Sequence, residues 1–347
     1  MNNKPRVAVA LSGGVDSAVT ALLLLEKGYD VIGITGKMTC DKESQEVVEN
    51  AQKVANKLNI EHFVVDASEN FNKEIIKYFE NSYRNGETPN PCIMCNKHIK
   101  WGQIFDYAIN ELNCDYIATG HYANIKLENG FYKLFPASDE HKDQLYFLFL
   151  LNQEHLSKTL FPLSNYKKQQ VRELAEKYNL PPKSAKDSQD ICFIKHPMTT
   201  KKYLNNIFQP KKGNFVEKTT GKVLGTHDGF WQFTIGQRKG IGLAAPEALY
   251  VVEIEATTNT VYVGYQKDLE TSSLILNKIN WSYPFEEEKF EAYVKIRYNM
   301  QAIKALVTKK ENYWEITFNE NVNGITPGQA CVLYDINDKH LLGGNFI

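Results

Sequence analysis

Two groups of residues have types and spacing that suit chemistry. The first is Ser12-Gly13-Gly14-Val15-Asp16-Ser17, between an apolar strand-like run at 6–11 and a helical pattern at 17–27. Two glycines let the backbone approach a ligand and take positive φ. The helix that follows presents unpaired N–H groups and the positive end of its dipole, so the loop suits an anion such as phosphate. A dipole contributes only about 0.3–2 kcal/mol to a nearby charge. The hydroxyls of Ser12 and Ser17 and a metal should therefore help, with Asp16 as a partner of Mg²⁺, since a carboxylate repels phosphate. The loop is neither a Walker A motif, because it carries no lysine, nor G-x-G-x-x-G. A glycine turn with a helix cap is the plain alternative.

The second group is thiols. Cys92 and Cys95 lie in Thr88-Pro89-Asn90-Pro91-Cys92-Ile93-Met94-Cys95-Asn96-Lys97, and Cys192 in Lys186-Asp187-Ser188-Gln189-Asp190-Ile191-Cys192-Phe193-Ile194. Two prolines stiffen an extended approach to a helix expected to begin near Asn96. Cys95 would then sit at a helix N-terminus beside Lys97, both favouring thiolate. A C-x-x-C pair can also be half a zinc site, but no second one exists here. It can be a redox pair, and a lone cysteine between Ile191 and Phe193 is often simply core.

The elements that must position these residues read as follows. Strand patterns at 6–11, 30–35, 62–65 and 116–118 alternate with helical patterns at 17–27, 43–58, 71–83 and 96–112. That alternation predicts an α/β fold with a Rossmann-like parallel sheet. A last helical pattern at 170–178 stops at Pro181-Pro182. Beyond Pro210 the chain turns to short strands with Gly, Asn and Asp turns, which predicts a small mixed central domain and a C-terminal β-barrel. The expected domains are 1–196, 197–270 and 271–347.

The 347 residues, 43% hydrophobic and 12% aromatic, can bury cores. The apolar runs are too short to span a membrane, and residues 1–6 show no targeting segment, so a cytoplasmic protein is expected. Six cysteines in this length make no disulfide scaffold. A net charge of −1, from 40 basic and 41 acidic residues, excludes a globally basic nucleic-acid binder. It leaves room for a local one: residues 191–216 hold five lysines and His196 with no Asp or Glu.

SGGVDS resembles the loop of the ATP pyrophosphatases, which cleave ATP to AMP and pyrophosphate and adenylate a substrate oxygen. SGGVDS, TPNPCIMCNKHIKW, ATGHYA, KDQLYFL, KDSQDICFI, TIGQRKGIG, KIRYN and TPGQA, in this order over nearly the whole chain, closely resemble the tRNA-specific 2-thiouridylases. That resemblance implies ATP-dependent 2-thiolation of the wobble uridine of tRNA. It makes Cys95 the nucleophile and Cys192 the persulfide carrier. Ala10, Leu11, Ser12, Gly13, Gly14, Val15, Asp16 and Ser17 match the ATP loop, and Gly36 and Gly120 the adenine side. Asn90, Pro91 and Cys92 match the segment facing the target base. His121, Lys142, Asp143, Gln144, Arg297, Tyr298 and Gln329 match positions that contact tRNA. The partners implied are tRNA and a cysteine desulfurase or sulfur-relay protein, with the chain itself a monomer. Cys95 and Cys192 would form a disulfide during turnover.

The sequence departs from the family in two places. Cys92 stands where members usually carry Asp, and Gly36-Lys37-Met38-Thr39 replaces a Met-Lys-Asn-Trp run. The extra thiol opens a rival chemistry, a [4Fe-4S] cluster on Cys92, Cys95 and Cys192 with one iron left to bind sulfide. Lys195, Lys201, Lys202, Lys211, Lys212, Arg238 and Lys239 are candidates for phosphate contact. Tyr203, Phe208, Phe230 and Trp231 could stack on an unpaired base. The competing readings are a small-molecule ATP pyrophosphatase, for which no ammonia-supplying domain is seen, a non-catalytic RNA-binding protein, and a zinc scaffold.

Overall fold

A computed structural model describes residues 4–181 and 191–347. Residues 186–190 of the second cysteine segment lie outside the described residues. The N-terminal part contains β1 (Arg6–Ala10), α1 (Val15–Glu26), β2 (Asp30–Lys37), α2 (Lys42–Leu58) and β3 (His62–Asp66). After α3 (Ser68–Phe71) come a π-helical turn, Asn72–Ile76, and α4 (Lys77–Arg84). Then follow α5 (Pro91–Cys95), π-helical segments Asn96–Ile104 and Tyr107–Glu111, and β4 (Tyr116–Ala118). A hairpin of β5 (Asn124–Glu128) and β6 (Phe131–Phe135) precedes α6 (Gln153–Ser157), β7 (Thr159–Leu160) and α7 (Lys168–Lys177).

The main sheet runs β3-β2-β1-β4-β7, with every pair parallel. Val7, Ala8 and Val9 of β1 are fully buried, as the centre of a sheet covered on both faces requires. One face carries α1 and α7 around Ala18, Val19, Leu22, Val171 and Ala175. The other carries Phe71, Ile75, Ile99, Trp101 and Ile104. The chain leaves β1 toward β2 on one side and returns as β4 on the other. The carboxyl ends of β1 and β4 are therefore the point where strand order reverses, where open α/β sheets bind ligands. The expected Rossmann-like sheet is thus present.

The central part has α8 (Thr200–Ile207) and a sheet of β8 (Gly213–Glu217), β9 (Val223–His227), β10 (Tyr250–Glu255) and β11 (Thr260–Gly264) in the order β10-β11-β8-β9. It is mixed, because β8 and β11 are parallel. The C-terminal part is a seven-stranded antiparallel sheet built from β12 (Glu270–Leu276) to β18 (Leu341–Phe346). Phe230 and Trp231, considered for base stacking, are buried in the central core. Tyr203 and Phe208 pack against that core, and the Tyr203 hydroxyl donates to Glu80. Rings that fill a core between a helix and a small sheet do not reach a base.

The helix expected at Asn96 begins at Pro91. Proline at its first position has φ already set for a helix and no N–H to leave unpaired. Consequently Cys92, not Cys95, lies in the first turn.

Candidate active site

Residues 10–17 form a closed turn. Ala10 ends β1, and the buried Leu11 donates its N–H to Ile34 O at 2.8 Å. Gly13 has φ +72, and a Cβ there would stand 2.9 Å from Asn50 Cβ and 3.1 Å from Val47 O, so only glycine fits between the loop and α2. Gly14 is the N-cap of α1 and has no side chain to close the first turn, leaving that N–H surface to a ligand. The Ser17 hydroxyl accepts the Ser12 N–H (3.2 Å) and donates to Gly14 O (3.0 Å). Expected as a ligand contact, it instead holds the loop's shape, while Ser12 remains exposed.

Asp16 differs from expectation. Lys168, the first residue of α7, places Nζ at 2.8 and 2.7 Å from its two carboxylate oxygens, and the Tyr122 hydroxyl donates to Oδ1 at 3.0 Å. This carboxylate is already neutralised, so it does not fit the expected role as a Mg²⁺ ligand. The loop that lacks a lysine in sequence has one in space.

Gly120, after β4, lies against the same turn: a Cβ there would be 3.0 Å from Asp16 Cβ and 3.1 Å from Ser17 N. Gly36 sits across from Met38 and Ile104, whose side chains a Cβ would meet at 3.0 and 2.7 Å. The two positions expected on the adenine side thus lie at the ends of β4 and β2, on either side of the loop.

The thiol centre is assembled from distant segments. Cys92, Cys95 and Cys192 are free thiols; Cys92 and Cys192 both act electrostatically on Cys95, and Cys92 also on Cys192. Burial pushes the Cys95 thiol up to about 12, with Lys100 opposing and Cys192 and Cys92 adding to the rise. Burial also raises Cys92 and Cys192. The expected activation of Cys95 is therefore absent from this geometry: Cys95 lies past the first turn, where the dipole has faded, and desolvation dominates.

Lys97 is not the cation involved. It lines an open cavity of about 500 Å³ on the other side of the helix with His98, Gln103 and Asp106. Lys100 is the cation that acts on all three thiols. On an α-helix, residues five apart point about 140° away from each other. The stretch Asn96–Ile104 is not regular α-helix: Trp101 (φ −100, ψ 18) and Gly102 (φ −113, ψ −107) kink it just after Lys100, and the Phe105 N–H reaches back across the kink to Lys100 O.

Lys100 Nζ lies 3.3 Å from His121 Nε2, and His121 Nδ1 lies 2.8 Å from Thr119 Oγ1. An ammonium only donates, so Nε2 accepts and Nδ1–H donates to Thr119. Burial, with Lys100 beside it, holds the His121 pKa well below 6.5, so the ring is neutral. His121 was expected to contact tRNA. It is 8% exposed, with its ring against Trp101 and Phe161.

The other residues expected at tRNA divide. Asp143 accepts the N–H groups of Ala137 and Leu145, and burial raises its carboxyl to about 6. Gln144 exchanges bonds with Tyr122, its Oε1 accepting the Tyr122 N–H at 3.0 Å. Gln144 thereby supports Tyr122, whose hydroxyl bonds Asp16 of the loop, whereas Asp143 braces its own turn. Arg297 donates to the carbonyls of Ile235 and Gly324 and to Thr326 Oγ1, joining the central and C-terminal parts. Gln329 donates to Thr88 O at 2.7 Å, and the Thr88 N–H donates to Pro327 O at 2.8 Å. The C-terminal sheet thereby clamps the segment leading to Asn90, Pro91 and Cys92. Tyr298 packs against Phe147 with its ring tilted (centroids 4.5 Å apart), and Lys142 lies close enough to act on its hydroxyl. Among the surface cations, Lys195 pairs with Asp41 and Glu43, and Lys212 with Asp228.

Among the described residues, the one group of three or more His, Cys, Asp or Glu ligand atoms within 4.8 Å of one another is Asp335, Asp338 and His340. Its histidine is already engaged by Asp338 and Tyr283. Among the described residues, the cysteines join no such group. No helix among the described residues is long and apolar enough to cross a membrane.

Sequence motif reasoning found the loop and the cysteines but missed Lys168 and Lys100. The first is 152 positions from its partner, and the second lies at a helix irregularity that has no simple sequence signature.

Comparisons with known proteins bear on the whole chain. Family profiles match in succession: the tRNA methyl transferase HUP domain over 5–196, the tRNA methyl transferase PRC-barrel domain over 201–265 and the aminomethyltransferase beta-barrel domain over 271–347. The tRNA-specific 2-thiouridylase MnmA 2 of Clostridium tetani is 43% identical over 99% of both chains. That of Carboxydothermus hydrogenoformans is 42% identical over 99% of this chain and 98% of its own. Among solved structures, the U34-tRNA thiolase NcsA from Methanococcus maripaludis with its [4Fe-4S] cluster is 25% identical, at a TM-score of 0.36 over 53% of this chain and 63% of that one. An overlap that loose carries no weight on chemistry. By full-length similarity to these curated relatives, the chain belongs to the tRNA-specific 2-thiouridylase family.

Proposed function

We propose that this enzyme converts the wobble uridine of tRNA to 2-thiouridine, using ATP to activate the base and a cysteine persulfide to supply sulfur. The observation that carries the reading is the tripeptide Gly120-His121-Tyr122. Gly120 and Tyr122 contact the turn at Asp16, and His121 contacts Lys100 among the thiols. Three consecutive residues thus link the loop to the thiols, which supports adenylation and sulfur attack at one place.

Uridine C2 is a poor electrophile bearing a poor leaving group. In the first step, O2 attacks the α-phosphorus of ATP, an O–P bond forms, and pyrophosphate leaves toward the loop at residues 12–17. N–H groups preorganised for an anion favour that departing charge. In the second step, the terminal sulfur of a Cys192 persulfide attacks C2 and AMP leaves with O2. Cys95 then attacks the Cys192 sulfur, releasing the base as thiouridine and forming a Cys95–Cys192 disulfide. An external thiol reductant reopens it by supplying two electrons. In a variant of this route, Cys95 attacks first and liberates sulfide beside C2, with the same disulfide as product. Mg²⁺ enters with the phosphates of ATP; no step depends on its binding to Asp16. A desulfurase or relay protein loads Cys192.

The approach of three thiols favours one rival. Cys92, Cys95 and Cys192 would hold a [4Fe-4S] cluster, which would bind sulfide at its open iron. Anaerobic purification with iron and sulfide analysis separates the two readings: about four irons per chain selects the cluster, and none selects the persulfide.

The test of function is thiolated tRNA on a mercury-containing gel. Purified protein receives unmodified tRNA, Mg-ATP and a persulfide-generating desulfurase, with Cys192→Ala alongside. A retarded band that needs ATP and vanishes in the variant is the expected result. A band that persists in the variant overturns the persulfide role of Cys192.

A further inference from the structure

Cys192 stands at the corner of a turn. The Ile194 N–H donates to Ile191 O at 2.9 Å, which makes Cys192 the first central residue of a four-residue turn. Cys192 is exposed, Ile194 is buried, and Ile191 and Phe193 pack against the core of the central part. Phe193 packs against the core of the N-terminal part as well. Its ring meets Phe79 of α4 edge-on with centroids 5.2 Å apart, and Phe71 of α3 and Tyr203 of α8 each at 6.0 Å. Ring pairs in this arrangement add to the effect of apolar burial. Phe71 and Phe79 are themselves buried, so the box around Phe193 is fixed. Two residues on, Lys195 Nζ lies 3.2 Å from Asp41 and 3.6 Å from Glu43. Asp41 is the N-cap of α2 and accepts the Ser44 N–H at 2.8 Å, so this partner is fixed too. The turn thus ties down three side chains and turns one outward, and that one is the thiol.

We propose that Phe193 is the positioning residue of Cys192: its ring fixes the turn at 191–194 so that the sulfur is presented to Cys95, and the Lys195 ion pair is a weaker second hold. A sulfur that must meet C2 and then Cys95 tolerates little error, since a misplacement of about 1 Å can cost about a hundredfold in rate. Phe193 touches no reacting atom and acts only through Cys192. This rests on the reading of Cys192 as the residue that bonds Cys95 after sulfur transfer.

The test is the reduction potential of the Cys95–Cys192 pair in the full chain, titrated without oxygen in mixtures of glutathione and its disulfide and read by peptide mapping. One glutathione disulfide takes two electrons and two protons from the two thiols, giving the protein S–S bond and two glutathiones. In Phe193→Ala the bond should be about tenfold or more less stable, a potential about 30 mV higher for this two-electron couple. Phe193→Leu keeps an apolar filler, should lie between alanine and the wild type, and serves where the alanine variant does not fold. Lys195→Met should weaken the bond only about two- to threefold, because an exposed ion pair contributes little. A larger effect there than in Phe193→Ala would reverse the two roles and overturn the proposal. So would a wild-type potential in the folded alanine variant, or in the leucine variant where alanine does not fold, which would make Phe193 a filler of the core. If the wild type forms no Cys95–Cys192 bond at any glutathione ratio, the disulfide chemistry itself fails, and the proposal with it.

Discussion

The loop at 12–17 and the thiols, linked through Gly120-His121-Tyr122, are built on opposite principles. The loop is formed by six consecutive residues, its hydroxyl bonds span at most five positions, and its one carboxylate is neutralised. It is ready for an anion as it stands. The thiol centre draws on residues 92–100, His121 and Cys192; desolvation raises all three thiols, most of all the half-buried Cys95, while Cys92 and Cys192 reach the surface. Under the proposed function, the contrast would leave activation of the base preorganised and make sulfur transfer wait for a change at the thiols, such as loading of the persulfide or arrival of the base.

The largest effect should come from separating the two regions. Cys192→Ser and Cys95→Ser should abolish thiolated tRNA while AMP release in the presence of tRNA continues, read by thin-layer chromatography of labelled ATP. Loss of AMP release in either variant would mean that the regions are not independent. Next comes the loop. Gly13→Ala forces a side chain into φ +72 and against Asn50. A backbone strained in this way costs about 1–3 kcal/mol, so ATP affinity should fall about ten- to a hundredfold, with alkylation of Cys95 unaltered.

Lys100 tests the resting state of the thiols. In the wild type, the alkylation rate of Cys95, followed peptide by peptide with iodoacetamide, should rise with pH toward about 12. The charged groups facing these sulfurs are Lys100, the other two thiols and, at Cys192, Lys195. Lys100→Met removes the opposing cation and should lower the rate at pH 9 about tenfold, with Lys100→Arg near wild type. The sign for stability follows from the same shift. The unfolded thiol ionises near 9 and the folded one about 12, so the contribution of Cys95 is fully present below pH 9 and is lost as pH rises toward 12.

Legibility in the sequence followed the same division. The parallel sheet showed in the apolar runs of β1 and β2, and the loop in SGGVDS, because both depend on contiguous residues. The start of α5 is not legible locally: two prolines read as an extended approach, whereas Pro91 opens the helix. The turn Asn129-Gly130, with φ of 53 and 80, is the local sequence signal of the β5–β6 hairpin. Lys168 and Lys100 were invisible for a different reason: no local pattern ties a lysine to a carboxylate 152 positions away, or tells a π turn from an α turn. Gln329 and Arg297 matched a motif, but only the fold shows them bonded to Thr88, Ile235 and Gly324.

The smallest effect should fall on Cys92, and it is the one that sharpens the comparison most. Cys92 lies in the first turn of α5 and is exposed, in contrast to the half-buried Cys95. In the persulfide route it forms no bond to sulfur being transferred. Its contact with the centre is electrostatic, through Cys95 and Cys192. Cys92→Ser keeps the size and removes only that thiol. Thiolation should then stay within about fivefold of wild type, a change of about 1 kcal/mol in the barrier. Cys92→Asp restores the residue usual in the family and should behave alike. A cluster needs all three thiolates, so under that chemistry Cys92→Ser would lose both iron and activity. One substitution in the first turn of a helix thus decides whether the thiol centre is a pair with a bystander or a ligand set.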